Sequence, residues 1–396
     1  MARAPAPIAG TDGVVEVAAE GRAAGRVALD LEFLWERTYR PQACLAQVAV
    51  GDAVHLVDPL AGASLEPLAG LVADPDVTVV MHAPSADLIL LALSYGVRPC
   101  GLVDTQLAAG FVGLGAGQSL GTLLERALGV HLRKSESYTD WSRRPLTPAQ
   151  LAYAVDDVRH LLPLADELDR RAEALGRTDW VAEEHRRRYG PEARLAPEPD
   201  EAWRRVRGQG RLSPAQRAVL RRVAAWRERE AMRRDRPVQW TLPDRTALEL
   251  ARRRPTDVAA LRAERGMPDR LRGQELEGLA AAIAAGADDP PITLPAPVPP
   301  RVAARLEVLG PLGQVLVSAR AAAASLAAPL VATRDEIEGF LAGALDGAEG
   351  DHPLGRGWRR ELAGSALLEL AAGRLALAPS SREPFLEEIA RRDGAG

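Results

Sequence analysis

Lysine is almost absent from this chain. Lys134 stands alone among 50 basic residues, so nearly all the positive charge is guanidinium. Two cysteines, Cys44 and Cys100, are too few for a disulfide framework or a cysteine-built metal cluster. No run approaches the apolar length that spans a bilayer. The stretch from Met1 to Ala9 lacks a basic region followed by an apolar segment, so no signal peptide is expected. A Gly-x-x-x-x-Gly-Lys-Ser/Thr phosphate loop is also missing, and no polymerase or helicase motif follows. These absences argue against a disulfide-stapled secreted domain, an integral membrane protein and a P-loop enzyme. The expected compartment is the cytoplasm, with no membrane partner.

What is present is an apolar fraction of 47% and a charged fraction of 26%, the balance of a soluble globular protein. A length of 396 residues fits two or three domains. The net charge of −4 hides an asymmetry. From Trp203 to Arg254 there are sixteen arginines and five acids, a local charge of +11 that leaves −15 for the rest. Such a block is the footprint of a polyanionic partner or simply a solvated helical surface. Charge counting leaves both open.

Strand and helix signals alternate through the first half. Val27–Leu31, Leu45–Val50 and Val54–Val57 read as a three-stranded antiparallel meander, and Val77–Met81 as a fourth, fully buried strand. Ser85–Tyr95 reads as a helix with Pro84 at its start, and Gln118–Leu128 as another, followed by a polar loop from Gly129 to Leu146. Thr147-Pro148-Ala149-Gln150 is a capping box that opens a helix expected to run to about Ala172. The plan is an α/β layered domain with a mixed sheet flanked by helices over residues 1–190. A proline-containing linker (191–202) and a helical domain (203–287) follow, the latter with a second capping box at Ser213-Pro214-Ala215-Gln216. A linker with six prolines (288–300) leads to a last helical unit (301–396), expected helical to about Arg392.

Four carboxylates in three ordered segments carry the chemistry. Asp30 and Glu32 lie two apart on a strand and so share a face, with Leu31 on the other. Asp87 sits in the first turn of its helix, where the dipole favours an anion. Tyr153 and Asp157 lie four apart and share a helix face. Acids set against apolar elements need a cation to neutralise them, and oxygen-only ligands suit Mg²⁺ or Mn²⁺. His82 is expected to pack or hydrogen-bond at its strand end, and His160 to be an ordinary partly exposed side chain. Trp141 either stacks a terminal base or anchors its loop, and Arg143 or Arg144 is a candidate phosphate contact.

These segments resemble the three exonuclease motifs of the DEDD superfamily of 3′→5′ exonucleases, in its tyrosine branch, and within it the bacterial ribonuclease D family. The likeness includes Leu29-Asp30-Leu31-Glu32-Phe33, Thr38-Tyr39-Arg40-Pro41-Gln42, Val57-Asp58-Pro59-Leu60 and Asp104-Thr105-Gln106. It continues through Lys134 to Trp141, Arg144-Pro145-Leu146-Thr147, and Tyr153 to Pro163. Trp203–Gly286 resembles the HRDC domain of that family, and Arg301–Arg392 a second, divergent HRDC-like unit. The resemblance implies a ribonuclease H-like fold followed by two all-α HRDC-type domains. It implies two divalent ions, Mg²⁺ or Mn²⁺, on Asp30, Glu32, Asp87 and Asp157, with Tyr153 catalytic. Leu31 departs from the usual threonine, on the face away from the ligands. Histidine branches place their histidine five residues before the last aspartate, where this chain has Ala152. The implied substrate is RNA with a free 3′ end, tRNA precursors among them, and the products nucleoside 5′-monophosphates. The alternatives are a DNA 3′→5′ exonuclease, which uses the same carboxylates, and an inactive nucleic-acid-binding scaffold.

Overall fold

The computed structural model describes residues 4–132, 139–190, 192–294, 298–347 and 351–391. The sheet-bearing domain opens with a helix that the sequence reading missed, α1 (Thr11–Ala24), ended by Gly25 in the left-handed conformation (φ 67°). The meander follows as β1 (Arg26–Leu34), β2 (Gln42–Val50) and β3 (Ala53–Val57). Then come α2 (Glu66–Val72), β4 (Thr78–Met81), α3 (Ser85–Tyr95) and the three-residue β5 (Leu102–Asp104), too short to show a pattern. The strand order is β3-β2-β1-β4-β5. β1 is antiparallel to β2 and parallel to β4, so the sheet is mixed as expected.

Helices α4 (Thr105–Phe111), α5 (Leu120–Leu128), α6 (Pro148–Arg159), α7 (Leu161–Ala174) and α8 (Thr178–Tyr189) complete the layer. The single helix expected from Thr147 to Ala172 is therefore two. His160 leaves helical geometry (φ −105°, ψ 1°), and Pro163, in the first turn of α7, has no N–H to return to the Arg159 carbonyl.

The Arg-rich domain is helical: α9 (Pro214–Arg234), α10 (Val238–Thr241), α11 (Asp244–Arg253), α12 (Val258–Ala263) and α13 (Gln274–Asp288). It has its own core, centred on Leu220, Val223, Leu250 and Leu279. Ala202, placed by the sequence reading in the linker, is part of that core.

The last unit comprises α14 (Pro300–Ala323), α15 (Ala328–Val331), α16 (Arg334–Asp346) and α17 (Gly357–Arg359). From α17 a π-helical turn leads into α18 (Ser365–Ala371). Helix does not continue towards Arg392. Gly373 at φ 75° ends it, and β6 (Leu375–Pro379) and β7 (Leu386–Ala390) form an antiparallel hairpin bounded by Pro379 and Pro384. A second correction concerns α14, which is long and apolar enough to cross a membrane by length and composition, because small and aliphatic residues outweigh its few charges. Here one face of it packs against α16, where a Cβ on Gly313 would come within 2.9 Å of Ile337. The cores of the sheet-bearing domain and the last unit are one continuous cluster.

Candidate metal centre

The site is built where β1 passes under α6. Asp30 pairs with Gln47 and Glu32 with Leu45 across the β1–β2 ladder, and the register shifts just after Glu32. Leu31 faces the opposite core. The Thr147–Gln150 capping box starts α6, with backbone-to-side-chain bonds of 3.2 and 2.9 Å. Ala154, Val155 and Val158 then dock the helix on the sheet against Leu45, Leu56, Ala28 and Val80. That docking turns the neighbouring face, with Tyr153 and Asp157, over the β1 carboxylates. Oxygens of Asp30, Glu32 and Asp157 lie within 4.8 Å of one another. Asp87, 8% exposed in the first turn of α3, stands outside this triangle. It is still near enough that its charge raises the Glu32 pKa, as Asp30 raises its own.

Electrostatics show how poorly these carboxyls share negative charge. Burial raises the Asp30 carboxyl to about 6. Burial and the charges of Asp30 and Asp87 raise Glu32 to about 8. Asp87 is pushed up to about 8, by burial first and by Asp30 second. Asp157 reaches about 9, through burial and then the charges of Asp30 and Glu32. Among the described residues no arginine or lysine pairs with any of the four. Asp157 Oδ2 is buried with no hydrogen-bond partner. Buried polar atoms seldom go unpaired without a reason. An all-oxygen donor set with an orphaned oxygen and mutual repulsion fits a hard divalent cation. Tyr153 lies beside Asp157, and burial with the surrounding negative charge raises its pKa, so its hydroxyl keeps its proton.

Comparison with known proteins identifies the family. A family model described as "3'-5' exonuclease" matches residues 5–173, and an HRDC domain model matches residues 216–283. Ribonuclease D of Acidiphilium cryptum is 38% identical over 359 residues, covering 90% of each chain. The Jannaschia ribonuclease D is 36% identical over 97% of this chain and 100% of its own. This chain belongs to the ribonuclease D family. The crystal structure of Escherichia coli RNase D, described as an exoribonuclease involved in structured RNA processing, superposes with a TM-score of 0.74. It shares 30% identity and covers 93% of this chain and 98% of its own. A Bifidobacterium adolescentis protein shares the fold, with a TM-score of 0.63 at 22% identity.

Within this ribonuclease D family member, other candidates find structural places. Asp156 turns to Arg159 at 3.8 Å, leaving Asp157 to face the cluster. Trp141 is 8% exposed and packs in the core with Cys44, Leu45 and Leu56, its ring 5.9 Å from that of Tyr153. It anchors its loop and backs the tyrosine. Arg144 is committed too. Its guanidinium donates twice to Asp58 (2.6 and 2.7 Å) and to the Cys44 and Trp141 carbonyls. Arg143 pairs with Asp140 at 3.1 Å. Residues 134–138 of this loop lie outside the described residues. His82 bonds Thr105 through Nδ1 at 2.9 Å, and His160 sits at the α6–α7 break.

Two further residues received no role from the sequence reading. Asp104 accepts from the Ala83 amide (2.9 Å) and the Tyr189 hydroxyl (2.7 Å), bracing the left-handed turn at Ala83 that leads into α3 and Asp87. Gln47, opposite Asp30, is fully buried with both amide atoms unpaired. A lone glutamine in the apolar run of β2 was its only signal.

Proposed function

We propose that this chain shortens structured RNAs from the 3′ end one nucleotide at a time, tRNA precursors among them, releasing nucleoside 5′-monophosphates. As a ribonuclease D family member carrying a 3′–5′ exonuclease domain, it is a 3′→5′ exoribonuclease. The DNA-exonuclease alternative is not favoured, because the full-length relatives are ribonucleases. The observation that carries the reading is the meeting of the Asp30, Glu32 and Asp157 oxygens beside an unpartnered Asp157 Oδ2. Asp30, Glu32, Asp87 and Asp157 would hold two Mg²⁺ or Mn²⁺ ions. Such ions, when bound, activate a water and stabilise the leaving oxygen of a phosphodiester.

The protein groups do the rest. Tyr153 keeps a protonated hydroxyl against Asp157, able to orient a water or a phosphate oxygen beside the carboxylates. Trp141 packs behind its ring and limits its freedom. Residues 1–190 would perform the chemistry and 203–287 would hold the RNA body through arginine–phosphate contacts, which are salt-dependent and indifferent to sequence. Residues 301–396 would brace the catalytic domain. The cytoplasm, where such RNA is found, is the proposed location.

The test is a 5′-labelled RNA with an unpaired 3′ tail, incubated with Mg²⁺ or Mn²⁺ beside an Asp157→Ala control. A one-nucleotide ladder that vanishes with EDTA and in the variant is expected. Uncut RNA in every metal, with binding retained, would leave only a scaffold.

A further inference from the structure

Between the β1–β2 connection and the Arg-rich helical domain lies a cavity of about 760 Å³ that the carboxylate chemistry does not use. Trp35, Tyr39, Ile89 and Leu93 line it from the exonuclease side, and Arg204 and Arg205 from the other. Trp35 leaves 42% of its surface open, in a chain with only 4% aromatic residues. Exposed aromatic surface at the wall of a cleft is a mark of ligand contact.

The indole is also held in place. Its Nε1–H donates to the Tyr39 carbonyl at 3.0 Å. The connection that carries it is tied to the helical domain at three points. The Tyr39 hydroxyl donates to Glu228 (2.8 Å), the Arg40 amide to Asp235 (2.8 Å), and the Arg40 guanidinium to the Met232 carbonyl (2.9 Å). A ring tethered in this way loses little freedom when another ring stacks on it.

Position and charge say what would stack. Trp35 follows Glu32 by three residues, so its backbone lies within about 10 Å of the carboxylate strand position, a span of about two nucleotides. The guanidinium groups in the cleft are already matched, Arg204 with Glu201 and Arg205 with Glu228 at 3.5 Å. A neutralised cleft pulls weakly on phosphate, whereas any base can stack on an indole.

We propose that Trp35 is a stacking platform for an unpaired RNA base one or two nucleotides upstream of the 3′-terminal residue. This subsite rests on the reading of the carboxylates as a 3′-end site.

The test uses the full chain in Ca²⁺ and fluorescence anisotropy with a 5′-labelled RNA heptamer, intact or abasic at the second or third position from its 3′ end. Trp35→Ala should weaken binding of intact RNA roughly five- to hundredfold, and Trp35→Phe should keep most of the affinity. One abasic RNA should bind the wild type poorly and lose nothing further in Trp35→Ala. Equal losses on intact and both abasic RNAs, or no loss at all, would overturn the subsite. Turnover is not needed for this readout, so it stands or falls separately from the ladder experiment.

Discussion

Arg359 donates to Glu184 at 2.7 Å across 175 residues of chain, with side-chain exposures of 5% and 0%. Arg187 and Arg188 complete the carboxylate's partners, and these guanidinium groups hold its pKa at about 2 despite burial. Arg359 also bonds the Leu330 and Val331 carbonyls and lies 4.3 Å from the Trp358 ring, which meets Phe111 and Trp180. The last unit is joined to the catalytic domain through a shared core and a buried Arg359–Glu184 pair, completed by the half-exposed Arg187 and Arg188.

Arg359→Met should therefore cost about 3–5 kcal/mol, because it leaves Glu184 buried with a weakened partner set. Denaturant titration reads the loss. Glu184 is a lowered-pKa group, so its contribution is present above the ordinary glutamate value and is lost as pH falls towards about 2. Stability of the variant equal to wild type would contradict the structural assignment.

Asp157→Asn removes a carboxyl that burial and the charges of Asp30 and Glu32 force to take up a proton on folding at neutral pH, and one of whose oxygens is unpartnered. The metal-free protein should gain about 1–3 kcal/mol near neutral pH, on the scale of an unsatisfied buried group. Exonuclease turnover should fall by about 100-fold or more. Thermal melting and the ladder assay together check this opposition, and a variant both less stable and active would refute it.

Tyr153→Phe keeps the ring packed near Trp141 and removes the hydroxyl that lies beside Asp157. The expected loss in kcat is about 10²–10⁴-fold, the range for a positioned proton-handling group. The shift in melting temperature with Mn²⁺ should survive, since the carboxylates remain.

Without metal, stability should fall as pH rises. The unfolded chain releases these protons near pH 4, whereas folded Asp30, Glu32, Asp87 and Asp157 hold theirs to about 6, 8, 8 and 9. Between those limits the folded state binds more protons, so the free energy of unfolding declines. Adding Mn²⁺ should reverse the trend above pH 7, because a cation takes the place of the protons. A melting temperature independent of pH in EDTA would argue against the cluster.

Some of this was legible because it is local. Alternation along β1 put Asp30 and Glu32 on one face, and the Thr147–Gln150 capping box marked the start of α6. Pro163 was visible in the sequence, yet its consequence, the break at His160, was not drawn from it. The β6–β7 hairpin was missed because its strands are short and mostly exposed, leaving no buried alternation to read.

What the sequence by itself determined is which side chains share a face and where helices can begin, since both depend on near neighbours and backbone sterics. Only the tertiary structure decided that the Asp30, Glu32 and Asp157 oxygens meet, that Trp141 and Arg144 serve packing, and that the last unit shares a core with the first domain. Those outcomes depend on apolar surfaces from distant segments being buried together, and on buried charges finding partners far along the chain.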